Sequence, residues 1–158
     1  LYRQPKQAWL ETIMCNGRQR GLVKLAKADV SGVRLLYKTL KRGETIGLLP
    51  DQVPSNGEGE WVDFFGRPAY TMTLVGRLAQ SSDAALVIAC AERLPNGRGY
   101  AVRIEPLSLD FTQSVPQQIN TALERVIATA PAQYLWSYNR YKVPPDVQPP
   151  PAKQEQLC

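Results

Sequence analysis

The sequence predicts an α/β fold, a mixed sheet flanked by helices, from three features of one stretch. Val33, Leu36, Tyr37 and Leu40 recur at i, i+3, i+4 and i+7, which lays one apolar stripe along a helix. Gly43 then stops the pattern. Thr45, Ile46, Gly47, Leu48 and Leu49 follow as a mostly apolar run, the mark of a strand covered on both faces. Helix, glycine turn and buried strand together make half of an α/β unit.

The remaining elements follow in chain order. Residues 5–15 read as a helix with Trp9, Ile13 and Met14 on its apolar face, ended by Asn16-Gly17. Residues 22–25 read as a short strand. Asp29 or Ser31 can cap the helix that carries Val33, and Lys38, Lys41 and Arg42 suit its C-terminal end. Residues 50–59 are rich in Pro, Gly, Ser and Asn and should be loop, at the end of a buried strand where α/β proteins place function. A helix over 71–80 rests on Met72, Leu74, Val75 and Leu78. Residues 86–92 and 100–105 read as strands joined around Pro95-Asn96-Gly97. Ser114 and Gln117 have capping-box spacing, ahead of a helix faced by Ile119, Leu123, Val126 and Ile127. Residues 1–142 are expected to belong to one domain. Residues 143–158, with five prolines and no aromatic residue, are expected to form a disordered tail.

Composition narrows the chemistry. The chain has 158 residues, 44 % of them hydrophobic, in the range of a globular domain. Its net charge of +5 suits acidic partners: nucleic acid, anionic lipid, phosphorylated sugars or an acidic carrier protein. The longest apolar runs, such as 84–91, are too short to cross a bilayer. Three cysteines are scattered at Cys15, Cys90 and Cys158, with no C-x-x-C pair, so no metal site is expected. The chain has no histidine, which removes the usual base for a serine or cysteine nucleophile. Phosphate-binding glycine loops and RNA-binding aromatic signatures are also absent, and no nucleic-acid partner is expected.

Three groups of residues could carry chemistry. Asp51 and Gln52 follow the predicted buried strand on a corner fixed by Pro50. Asp51 either caps its own turn or orients a group in a site. Arg18 and Arg20 sit between Gly17 and Gly21, where their guanidinium groups could grip phosphate or remain as solvated charge. Trp61, Phe64 and Phe65 lie beside the loop and could line an acyl-chain channel or pack in the core. The aromatic stretch 134–142 could be a final strand, a core plug or an interfacial belt.

Several blocks are similar, in order and spacing, to those of the bacterial lipid A biosynthesis acyltransferases. They are Tyr2-Arg3-Gln4-Pro5, Gly17-Arg18-Gln19-Arg20, Lys41-Arg42-Gly43-Glu44, Pro50-Asp51-Gln52, Phe64-Phe65-Gly66-Arg67-Pro68-Ala69, Pro131-Ala132-Gln133-Tyr134-Leu135-Trp136 and Arg140-Tyr141-Lys142. The resemblance implies a fold like that of the glycerolipid and lysophospholipid acyltransferases, with its N-terminal part missing. It also implies fatty acyl transfer from acyl carrier protein to a hydroxyacyl chain of a phosphorylated lipid A precursor, at the cytoplasmic face of the inner membrane. The membrane anchor is expected in the missing part, and no cofactor or metal is needed. Enzymes of the family are expected to carry a His-x-x-x-x-Asp/Glu pair ahead of these blocks; the chain lacks it, so it is expected to be a C-terminal fragment, inactive alone. By position in the blocks, Asp51 and Arg18 take supporting catalytic roles, and Arg20, Gln52, Phe64 and Phe65 bind substrate. Residues 137–140 read Ser-Tyr-Asn-Arg where relatives often show His-Arg-Arg, leaving fewer basic residues there. The alternative is a non-catalytic remnant or partner-binding module of the same fold.

Overall fold

The computed structural model describes residues 1–2, 5, 7–19 and 21–150. It divides into two compact units, Leu1–Leu49 and Pro50–Cys158. The α/β class holds, with four α-helices and four strands among the described residues. The strands form two antiparallel two-stranded sheets instead of one mixed sheet.

The first unit contains helices α1 (Ala8–Arg18) and α2 (Val30–Lys41). The helix α1 runs through Asn16-Gly17, three residues past its expected end at 15, and its Trp9 and Ile13 are exposed. The expected strand at 22–25 is absent. In its place Tyr2 and Lys27 make one parallel bridge, with Tyr2 N–H donating to the Ala26 carbonyl (2.8 Å) and Ala28 N–H to the Tyr2 carbonyl (2.7 Å). The cap of α2 is the expected one: an Asp29 carboxylate oxygen accepts from Gly32 N–H (2.9 Å) and from the Ser31 hydroxyl (2.6 Å). Its end is a Schellman motif. Gly43, at φ +74°, donates to the Leu40 carbonyl and Glu44 N–H to that of Thr39. Residues 45–49 form no strand. A strand buried on both faces needs hydrogen-bonding neighbours, and none of the described strands pairs with this run, whose Leu49 is exposed.

The second unit is built on the hairpin β1 (Gly59–Phe64) and β2 (Arg67–Met72), in register Phe64↔Arg67 to Gly59↔Met72. Its turn residues, Phe65 and Gly66, both have positive φ (47° and 73°), the two-residue arrangement that matches strand twist. Helix α3 (Leu74–Ser82) comes next, then the hairpin of β3 (Val87–Arg93) and β4 (Tyr100–Pro106), then α4 (Val115–Thr129). Ser114 caps α4 as expected, its hydroxyl accepting from Gln117 N–H (3.3 Å). The core lies between the first hairpin and α4, where Phe64, Ala69 and Ile127 are buried with Leu123, Tyr134 and Tyr141 against them.

Residues 143–150 do not behave as the expected tail. Pro144 is buried, the Asp146 carbonyl accepts from the Asn56 amide (3.1 Å), and the Gln148 carbonyl accepts from the Trp61 indole (2.9 Å). The chain turns at Pro145-Asp146, where Asp146 has φ +62° and Val147 N–H donates to the Pro144 carbonyl (3.3 Å). Residues 151–158 lie outside the described residues.

Two glycines of the first unit should respond oppositely to alanine. A Cβ at Gly32 would overlap the Lys27 backbone carbonyl, whereas one at Gly17 meets open space. Hydrogen exchange of helix amides should show Gly32→Ala weakening α2 by about 1–3 kcal/mol. Gly17→Ala should strengthen α1 by about 0.5–1 kcal/mol.

Candidate functional site

The second unit buries a charge. Arg140 is only 3 % exposed, and its guanidinium is held by neutral oxygens alone in its hydrogen bonds. Nη1 donates to the Tyr70 carbonyl (2.8 Å), and Nη2 donates to Thr71 Oγ1 (2.7 Å) and Asn120 Oδ1 (3.4 Å). Thr71 and Asn120 are themselves fully buried. The Asn120 amide donates to Thr71 Oγ1 (3.0 Å) and to the Asp63 carbonyl (2.9 Å), while the Thr71 hydroxyl donates to the Ala69 carbonyl (3.0 Å). The Phe64 ring centre lies 5.3 Å from the guanidinium carbon. Arg140 Nε is buried and has no hydrogen-bond partner among the described residues.

This network rests on backbone geometry set by the first hairpin. A two-residue turn makes Phe64↔Arg67 the closing hydrogen-bonded pair, so the Asp63↔Pro68 pair turns its backbone groups outward. On the Pro68 side no N–H is lost to solvent, which is where a proline fits in a strand. On the Asp63 side α4 answers both groups: Gln117 accepts from Asp63 N–H (2.8 Å) and donates to its carbonyl (3.2 Å). The glutamine expected to complete a capping box is thus used as a substitute strand. Glu124 accepts from Phe65 N–H (2.7 Å) two residues further along, in the turn.

Beside Arg140 lies a cavity of about 320 Å³, lined by Arg67, Tyr134, Tyr138 and Tyr141 among others. The Arg67 guanidinium stacks 4.2 Å from the Tyr141 ring centre. The Tyr141 hydroxyl donates to the Phe64 carbonyl (2.9 Å), and the Tyr138 hydroxyl accepts from Val53 N–H (2.9 Å). Burial pushes the Tyr134 hydroxyl up to about 12, and the Asp51 carboxylate beside it adds to the rise while Arg140 opposes it. Burial lowers Arg140 below the ordinary arginine value, and Tyr134, Tyr138 and Asp51 act against that.

Of the residues expected from sequence, the second unit brings Asp51 and Phe64 to this place. Asp51 is half-buried on the turn at 50–52, beside Tyr134, and Gln52 next to it is exposed. Phe64 is 1 % exposed and is core as well as cavity wall. Phe65 is exposed on the hairpin turn, 4.8 Å from the Phe64 ring and 5.7 Å from that of Trp136. Arg18 belongs to the first unit, exposed in the last turn of α1, where its charge complements the helix dipole. Arg20, Arg3 and Gln4 lie outside the described residues. The stretch 134–142 is a chain of turns that plugs the core with Tyr134, Tyr141 and Arg140, and the strand option is excluded.

Sequence reasoning missed Arg140 as the centre and Asn120 as its support. The available signal was Asn120 itself, which shares a helix face with Leu123 and Ile127 at i, i+3 and i+7. A polar residue inside an apolar stripe is usually there to satisfy another buried polar group.

The Tyr134 shift gives a pH test. A folded-state value above the unfolded one means the native chain keeps a proton longer, so the contribution is whole below pH 10 and is lost from about pH 10 to 12. Denaturant melts should show wild-type stability falling through that window. Tyr134→Phe should fall less steeply there, while other tyrosines titrate in both proteins.

The family model for bacterial lipid A biosynthesis acyltransferase matches residues 1–143. The lipid A biosynthesis lauroyltransferase of Escherichia coli K12 is 32 % identical over 144 residues, covering 87 % of this chain and 45 % of the relative. The palmitoleoyltransferase of the same organism is 27 % identical over 148 residues, covering 91 % and 48 %. A lipid A biosynthesis acyltransferase of Haemophilus influenzae is 30 % identical over 158 residues, covering 95 % and 50 %. The chain spans about half the length of the curated relatives it matches. With the match running through every block from Tyr2 to Lys142, the chain belongs to the bacterial lipid A biosynthesis acyltransferase family.

Proposed function

We infer that these residues serve a fatty acyl transfer in lipid A biosynthesis, from an acyl carrier protein thioester to a hydroxyl on an acyl chain of the phosphorylated precursor. One observation carries this reading: the family match over 1–143, supported by the identity to a lauroyltransferase. In the reaction the acceptor oxygen forms a bond to the acyl carbonyl carbon, the carbon–sulfur bond breaks, and the hydroxyl proton passes through a base to the leaving thiolate. A histidine base would come from outside these 158 residues, which contain none. Asp51 would orient groups at the acceptor side through its contact with Tyr134, and Arg18 would offset negative charge. Gln52, Phe64, Phe65 and Arg20 would contact substrate. The excess of Lys and Arg favours work against the acidic carrier protein and an anionic membrane surface. No helix among the described residues is long and apolar enough to cross a membrane.

The lack of histidine favours a second reading, a non-catalytic or partner-binding module of the same fold. Acyl transfer by the gene product containing these residues separates the two. Transfer of radiolabelled acyl chains from acyl carrier protein to lipid A precursor should fall at least about tenfold on Arg18→Ala or Asp51→Ala, the size of losing one positioned charge. The 158 residues alone should give no turnover. Full activity in both variants would reject the roles assigned to them, and an inactive gene product would favour the module.

A further inference from the structure

We propose that one face of the β3–β4 ribbon docks polypeptide outside these 158 residues, an amphipathic helix from the further half that the curated relatives carry. The proposal rests on the family match and on the ribbon, not on the acyl-transfer reading, and its test reads accessibility rather than turnover.

The ribbon is inside out. Side chains alternate along each strand, so the register sorts them onto two faces. Ala89↔Ile104 and Ala91↔Val102 share one face, with Val87 and Tyr100 towards its two ends. All six are exposed, Val102 and Ile104 each to 64 %. The opposite face holds the ion pairs beside half-buried Ile88 and Cys90: Glu92 pairs with Arg103, and Glu105 reaches Arg125 on α4. That last pair sets α4 on the polar side. An antiparallel sheet with one wet face ordinarily has the reverse order, apolar in and polar out.

The strand β3 itself calls for a second layer. Residues 87–91 read Val-Ile-Ala-Cys-Ala, an unbroken apolar run of the kind found in strands buried on both faces. A contiguous apolar face left in water marks a contact surface, and a sheet face is stabilised by another layer packed on it. The relatives supply a source for that layer: this chain covers 45–50 % of their length, so about half of each lies outside the match. Shape and charge favour polypeptide over other occupants. Small Ala89 and Ala91 on β3 lie beside larger Ile104 and Val102 on β4, a surface that suits a helix with an apolar stripe. Arg93, opposite Tyr100 at the turn end, is the only charged side chain on this face, which leaves little to hold an anionic bilayer against it. A second copy would have to associate from solution, whereas a segment of the same polypeptide is held at high effective concentration.

Site-resolved thiol labelling, read by mass spectrometry, tests the face with Val102→Cys and, on the other strand, Ala89→Cys, both small changes at exposed positions. Each variant is labelled in the 158-residue chain and in the gene product containing these residues, in the same detergent and relative to the urea-unfolded protein. Both thiols should react freely in the 158-residue chain and at least about tenfold more slowly in the gene product, where only opening of the covering layer admits the reagent. Equal rates in the two proteins overturn the proposal. Slow labelling already in the 158-residue chain overturns it too, with a second copy as the cover where the rate falls as concentration rises. Phosphatidylglycerol vesicles that slow the 158-residue chain to the rate of the gene product overturn it in favour of lipid.

Discussion

The second unit depends on one buried cation. Arg140 joins three pieces of chain that are far apart in sequence: β2 through Tyr70 and Thr71, α4 through Asn120, and the closing turns that carry the arginine itself. Desolvating a guanidinium costs several kcal/mol, so such a group persists only where its surroundings are already shaped to receive it. Here they are shaped by the first hairpin. The turn at Phe65-Gly66 fixes which backbone groups of β1 point outward, and that register places Asp63 against α4 and Thr71 within reach of the guanidinium.

A second constraint follows from short sheets. Two-stranded ribbons leave backbone donors and acceptors open along both edges. This unit meets part of that demand with side-chain amides, which carry the same donor and acceptor as a peptide group. Gln117 clasps both backbone groups of Asp63, Gln133 clasps those of Arg93, and Gln118 those of Asp110. Gln117 and Gln133 each fasten a helix or loop to a strand residue without adding a strand, and Gln118 ties the loop at Asp110 to α4. The same economy of strands leaves one face of the β3–β4 ribbon, with Val87, Tyr100, Val102 and Ile104, exposed.

What could be read from sequence divides along the same physical line. Local signals held: the Asp29 cap, the Gly43 stop, the Ser114 cap and the strands on either side of Pro95-Asn96-Gly97 were all legible because neighbours in sequence decide them. Elements that depend on distant partners were not. The apolar run at 45–49 has the composition of a buried strand but no strand to pair with among the described residues, and the first hairpin was hidden because Phe65-Gly66 lacks the usual Asn-Gly signal. Of the site, Asp51 and Phe64 were legible through their family blocks. Arg140 was legible as a residue but not as a centre, since its burial is decided by Thr71 and Asn120, each long-range in the chain.

The central claim, that the buried guanidinium organises the second unit, is tested most directly by equilibrium unfolding of Arg140→Met, followed by fluorescence of Trp61, which lies on β1. Methionine keeps much of the volume and removes the donors, leaving the Tyr70 carbonyl, Thr71 Oγ1 and Asn120 Oδ1 short of partners. Stability should fall by about 3 kcal/mol or more, the cost of orphaning buried acceptors. Stability equal to or above that of the wild type would contradict the account and make the arginine a replaceable core residue.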